Sequence, residues 1–232
     1  MNAICQLKSL LTAAALFAAA IFVTCVPAWS AEPATVTADD ALKQLIEGNK
    51  RFVAGKLHSP TPSEIIKRRA EVAIEQKPFA VVVSCSDSRV GPEIVFDQGI
   101  GEIFVVRTAG EVVDTAALGS IEYAVAHLGT PLIVVLGHER CGAVSAAVAD
   151  AKEPGHIADV LKAIQPAVKE TKGQPGDKVD NAIRANALDV AEQLQVAGPI
   201  LADRVKNGRL KISAAYISLD TGKVELLERA KK

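Results

Sequence analysis

The chain has 232 residues, with 26 Lys and Arg against 27 Asp and Glu. That length supports a sizeable buried core. A net charge of −1 argues against nucleic acid or an anionic membrane surface as the main partner.

Residues 1–30 read as a secretory signal. Lys8 is their one charged side chain, an apolar run extends from Leu10 to Val26, and Pro27-Ala28-Trp29-Ser30 gives a small-residue exit. Ala28 and Ser30 put the cut after Ser30. Residues 31–232 then form a single domain, periplasmic or secreted, with no stable membrane insertion after cleavage. The rival reading is a retained anchor, because the run is near the lower length limit for a spanning helix.

Thr37 and Asp40 form a weak capping box before an amphipathic helix over 40–53, with Leu42, Leu45, Ile46, Phe52 and Val53 at near-helical spacing. This N-terminal helical arm either reaches a neighbouring chain or packs on its own core. Pro60 and Pro62 break the pattern, and Ser63–Gln76 reads as a second helix. Phe79–Ser84, Ile103–Thr108 and Leu132–Gly137 are short continuous apolar runs, which fit parallel strands covered on both faces. Between the last two, Thr115–Leu128 reads as a helix and completes a βαβ unit.

Another helix follows Cys141 to about Asp150. The polar segment Lys152–Gly176 holds a helical piece around Val160–Val168. Val179–Val205 is helical with a break at Gly198-Pro199. Leu210–Leu219 and Val224–Leu227 read as strands around a turn, the last an antiparallel edge. The predicted class is α/β, a central mostly parallel β-sheet with an antiparallel edge strand, flanked by helices.

Two runs follow predicted strands. Ser84-Cys85-Ser86-Asp87-Ser88-Arg89 ends the first, and Gly137-His138-Glu139-Arg140-Cys141-Gly142 ends the third. Ligands of open α/β sheets gather beyond such strand ends. Cys5 and Cys25 leave with the signal, so Cys85 and Cys141 remain. In an exported chain two cysteines first suggest a disulfide. A disulfide has no use for the neighbouring Asp87, Arg89 or His138. Two thiols and an imidazole are donors that zinc prefers, and three ligands leave a fourth position for water, the mark of a catalytic site. Cys141 is expected in the first turn of the next helix, where amide dipoles favour a thiolate. His58, His127 and His156 lack ligand-like neighbours and read as surface or packing residues. Gly99-x-Gly101 is too incomplete for a dinucleotide fingerprint.

With both motifs in order, the chain resembles the β-class carbonic anhydrases from about Asp40 to Leu227. The likeness includes Phe104-Val105-Val106-Arg107-Thr108-Ala109-Gly110 and Ile121-Glu122-Tyr123-Ala124-Val125. It implies reversible hydration of carbon dioxide to bicarbonate and a proton, by a hydroxide on one Zn2+ per chain. Cys85, His138 and Cys141 match the zinc ligands. Asp87, paired with Arg89, matches a residue that accepts a hydrogen bond from the hydroxide, or in some members becomes a fourth zinc ligand.

Gln76, Phe104 and Tyr123 match the substrate-pocket residues of the accessible, plant-like type. Read without the family, Phe104 and Tyr123 are core aromatics and Gln76 a solvated helix-end residue. Gly142 allows a ligand to approach the backbone closely. Glu111 is a departure, standing where many members carry asparagine. The resemblance also implies a homodimer or homotetramer with the pocket formed across two subunits. Two alternatives are hydrolysis of carbonyl sulfide or carbon disulfide on the same scaffold, and a non-enzymatic periplasmic zinc or thiol redox module.

Overall fold

The computed structural model describes residues 36–229. The predicted signal over residues 1–30 lies outside the described residues. One five-stranded sheet organises the rest. Its strands are β1 (Ala80–Cys85), β2 (Ile103–Thr108), β3 (Leu132–His138), β4 (Lys211–Ile217) and β5 (Val224–Leu227), in the order β2-β1-β3-β4-β5. The first four are parallel and β5 runs antiparallel at the edge, as the sequence predicts.

Every residue of β1 and β3 is buried, the physical counterpart of their unbroken apolar runs. Helices cover both faces. On one, Val81, Val83, Ile133 and Val135 pack with Ile121 and Val125 of α4 (Thr115–His127) and with Val190 and Leu194 of α7 (Lys178–Val196). On the other, Val82, Val134 and Leu136 pack with Leu45 of α1 (Ala38–Val53) and with Phe96, just past the short α3 (Pro92–Val95). The sequence patterns did not predict α3.

Helix α1 packs one face, with Ala41 and Leu45, on its own chain's core. Thr37 caps it by accepting from Asp40 N at 3.1 Å. Leu45 is fully buried, so Leu45→Ala would cost roughly 2–5 kcal/mol. A Cβ on Gly48 would stand 1.7 Å from Phe96 O, so only glycine allows this close approach. Asn49 ties α1 to the far end of the sheet: its amide donates to Val95 O at 3.2 Å and Gly222 O at 2.9 Å, and its oxygen accepts from Val224 N at 2.9 Å.

Helix α2 (Pro62–Glu71) ends five residues short of the predicted Gln76. It buries no residue, so its Thr61–Glu64 capping box, local bonding and one hydrogen bond from Arg68 Nε to Ile100 O at 3.0 Å hold it. Pro78 also forces its predecessor out of the helical region before β1 begins. Helices α5 (Gly142–Val148) and α6 (Ile157–Glu170) follow β3, with α6 longer than predicted. The predicted break at Gly198-Pro199 separates α7 from α8 (Ile200–Lys206).

Candidate metal centre

β1 and β3 are direct neighbours, with Ser84 opposite Leu136. Their carboxyl ends therefore deliver Cys85 and His138 to one place. A tight turn follows β3, with Arg140 at φ 54°, and Cys141 then caps α5. Cys141 thus stands one residue before the helix, not within its first turn as predicted, because the turn consumes the intervening residues.

One ligand atom from each of Cys85, His138 and Cys141 lies within 4.8 Å of the others. The two sulfurs are 4.0 Å apart, and no disulfide joins them. Zinc–sulfur bonds of about 2.3 Å in a tetrahedron would place two sulfurs roughly 3.8 Å apart, so the pair fits. His138 is fully buried. Its Nδ1 is 3.0 Å from Glu139 O, which fixes the tautomer with the proton on Nδ1. Nε2 is then left buried without a hydrogen-bond partner, an expensive state that a metal would relieve. The donor chemistry, the spacing and this orphaned atom all fit zinc.

The two thiols and the imidazole shift one another's protonation. Donation from Cys141 holds the Cys85 thiol well below its ordinary range against the cost of burial, helped by His138 and the Gly110 amide. Donating that hydrogen bond, together with burial, pushes the Cys141 thiol up. Burial disfavours the His138 imidazolium, but the nearby Cys85 sulfur outweighs it and the net direction is up. Backbone amide donation at 3.2 Å, from Gly110 N to Cys85 Sγ, adds a neutral dipole.

Asp87 stands beside the three-residue cluster. Arg89 grips both its oxygens, Nε to Oδ1 at 2.9 Å and Nη2 to Oδ2 at 2.7 Å. That two-pronged bond holds the Asp87 carboxyl well below the usual carboxylate range, against partial desolvation. Asp87 Oδ2 lies 3.8 Å from His138 Nε2. Arg89 Nη2 is itself anchored on Arg140 O at 3.2 Å. A Cβ added to Gly142 would meet nothing within 4 Å, so the backbone there is open to approach.

The other predicted site residues lie elsewhere in the chain. Gln76 is exposed in the loop before β1, at the amino end of the sheet, where Phe79 N donates to Glu102 O at 2.9 Å. Phe104 pairs with Val81 and packs into the core. It sits four residues before Thr108, the partner of Cys85, or about 13 Å along the strand. Tyr123 is 46% exposed on α4 and its ring centroid is 5.1 Å from that of His127. One chain does not bring these three to the metal cluster.

Three supporting residues escaped the sequence reading. Arg107 donates from Nε to Cys85 O at 2.9 Å and from Nη2 to Asp87 O at 2.6 Å, clamping the ligand loop. A lone arginine ending the apolar strand Phe104-Val105-Val106 was the available signal. Glu139 accepts from Leu219 N at 2.7 Å and Ser218 Oγ at 2.9 Å, fixing the turn between His138 and Cys141. Asn186, on α7, reaches Glu111 Oε1 at 2.8 Å. Glu111 is fully buried, and burial pushes its carboxyl up to about 7 against that hydrogen bond.

The chain is similar to known proteins in sequence and fold. Residues 80–224 match the family described as carbonic anhydrase. Carbonic anhydrase 2 of Mycobacterium tuberculosis is 45% identical over 190 residues, 80% of this chain and 91% of that protein. Among solved structures, a Coccomyxa β-carbonic anhydrase in complex with acetazolamide superposes with a TM-score of 0.63 at 25% identity, covering 80% of this chain and 86% of the other. A tetrameric β-carbonic anhydrase from Sordaria macrospora gives 0.65 at 22% identity, covering 82% and 98%.

Proposed function

The chain belongs to the β-class carbonic anhydrases, zinc enzymes that interconvert carbon dioxide and bicarbonate, and we propose that Cys85, His138 and Cys141 hold its zinc while Asp87 and Arg89 manage the proton beside it. The observation that carries this is the orphaned His138 Nε2, buried with two thiols at zinc-like spacing. What zinc supplies there is acidity, since a coordinated water falls from a pKa of about 15.7 toward roughly 7.

The chain's own residues do the rest. Asp87 stays ionised through the neutral range and offers an acceptor oxygen facing the cluster. Arg89 aims that oxygen and keeps it from rotating, because both carboxylate oxygens are held. This grip supports Asp87 as an acceptor over Asp87 as a fourth ligand. Gly142 leaves room for the substrate against the backbone.

Gln76, Phe104 and Tyr123 complete the pocket from a second copy, in a homodimer or homotetramer. Their distance from the metal ligands of their own chain supports this assignment. The sequence of residues 1–30 supports export to the periplasm or beyond. Among the described residues no helix is long and apolar enough to cross a membrane. The carbonyl sulfide, carbon disulfide and redox-module alternatives gain no support from the relatives compared.

The test is direct. Purified protein should carry about one zinc per chain and speed acidification of buffer charged with carbon dioxide. Zinc-loaded protein without that activity, or with faster sulfide release from carbonyl sulfide than carbon dioxide hydration, would overturn the assignment.

A further inference from the structure

Glu111 is a buried carboxyl that the reaction above leaves without a task. It is fully buried on a backbone of φ 44°, directly after Gly110 at φ 63°. Two successive left-handed residues bend the chain sharply after β2. That bend aims the Gly110 N–H at Cys85 Sγ, 3.2 Å away. A residue with a side chain adopts such a backbone only when its surroundings hold it there.

The restraint comes from α7. Asn186 Nδ2 donates to Gly110 O at 2.9 Å and to Glu111 Oε1 at 2.8 Å. An amide nitrogen has two hydrogens, so one group clamps both residues of the bend. Packing closes the other side. A Cβ on Gly110 would lie 2.7 Å from Ile164 Cδ1 and 3.3 Å from Ala143 Cβ. The bend therefore has α5, α6 and α7 around it, and its amide has one direction to point.

A hydrogen bond to a metal-bound thiolate draws electron density from the sulfur. Less density reaches the metal, which becomes a stronger Lewis acid, and the ligand is held in its orientation. We propose that Glu111 is a positioning residue, which with Asn186 holds the Gly110 amide on the Cys85 sulfur and so tunes the affinity and acidity of the zinc centre. The inference rests on Cys85 being a zinc ligand. It does not need Glu111 to be charged, only to present an oxygen to Asn186.

The full protein should be prepared as wild type, Glu111→Ala, Glu111→Gln and Asn186→Ala, each loaded with zinc or with cobalt(II). Three quantities are read: zinc affinity by chelator competition, the energy of the sulfur-to-cobalt charge-transfer band, and the pKa of the pH–rate profile. Glu111→Ala and Asn186→Ala should weaken zinc binding about tenfold or more. They should also move the band to lower energy and raise the kinetic pKa. Glu111→Gln, which keeps an acceptor oxygen, should stay near wild type in all three.

Wild-type affinity and band position in both alanine variants would overturn the proposal. So would a glutamine variant as impaired as the alanine one, since charge and not the hydrogen bond would then be at work. If Glu111→Ala fails to fold, Asn186→Ala and Glu111→Gln still decide it. Wild-type protein that binds zinc but hydrates no carbon dioxide would sink the catalytic assignment instead, and the affinity and cobalt band would still judge Glu111.

Discussion

Cys85, His138 and Cys141 are 6%, 0% and 1% exposed at the carboxyl end of the sheet, whereas Tyr123 stands 46% exposed on its flank. The first group sits where two fully buried strands end side by side. Arg107, Glu139 and the Gly110 amide fix its backbone. The flank is built on β2, an edge strand whose residues are mostly half-buried, and on α4 after it. The metal-binding half of the site is finished within one chain. The flank carrying Phe104 and Tyr123 is not finished around any metal of its own chain, which is the condition expected of a surface that completes another copy.

The largest break in that comparison comes from the finished half. Cys85→Ser should abolish stoichiometric zinc by elemental analysis and lower hydration by more than about 10³-fold, since the acidity of the coordinated water goes with the metal. Retained zinc at wild-type occupancy would remove Cys85 from the ligand set.

Asp87 and Arg89 come next, because they act beside the metal without being needed to hold it. Asp87→Asn should keep zinc and lose roughly 10²-fold in kcat, the range for one preorganised polar group. Arg89→Ala should change the pH dependence as well. In the intact protein Asp87 is held below the usual carboxylate range by Arg89, so it remains an acceptor as the medium turns acid. Without Arg89 its pKa returns toward about 3.9. Protonation removes the acceptor, so below about pH 5 activity should fall more steeply in the variant than in wild type, on top of the loss of zinc-bound hydroxide that both share. An unchanged acid limb in a pH–rate profile would separate Arg89 from Asp87.

The finished half was also the legible half. Continuous apolar runs located β1, β2 and β3 to within a residue, and the motifs after β1 and β3 named the three residues of the cluster. The helix after Thr61 stops short of Gln76, and Ile74 in the missing turn is 98% exposed, so no burial holds that turn. Cys141 was placed a residue too deep in its helix because the left-handed turn at Arg140 leaves little trace in a non-glycine residue. Glu111 was visible as a departure from the family pattern. Its partner Asn186 was not, because nothing local in the sequence links β2's loop to the middle of α7. The proposed pocket set was hardest of all, since a motif names residues without placing them, and Gln76, Phe104 and Tyr123 do not meet the cluster of their own chain.

The flank offers the smallest effect and the sharpest comparison. Gln76→Ala or Tyr123→Ala should leave zinc content unchanged and lower kcat/KM by about tenfold, the scale of one lost substrate contact. Mixing then separates the two halves. Cys85→Ser has a dead metal site but an intact flank, and Gln76→Ala has a live metal site beside a damaged flank. If the flank serves the partner, a mixed dimer contains one site with zinc from the Gln76→Ala chain and an intact Gln76 from the Cys85→Ser chain. Unfolding and refolding the two together should therefore give more activity per zinc than refolded Gln76→Ala alone. If each chain served only itself, zinc would sit only in chains lacking Gln76, and mixing would add nothing. Equal activity per zinc before and after mixing would show that Gln76 does not serve the partner's site.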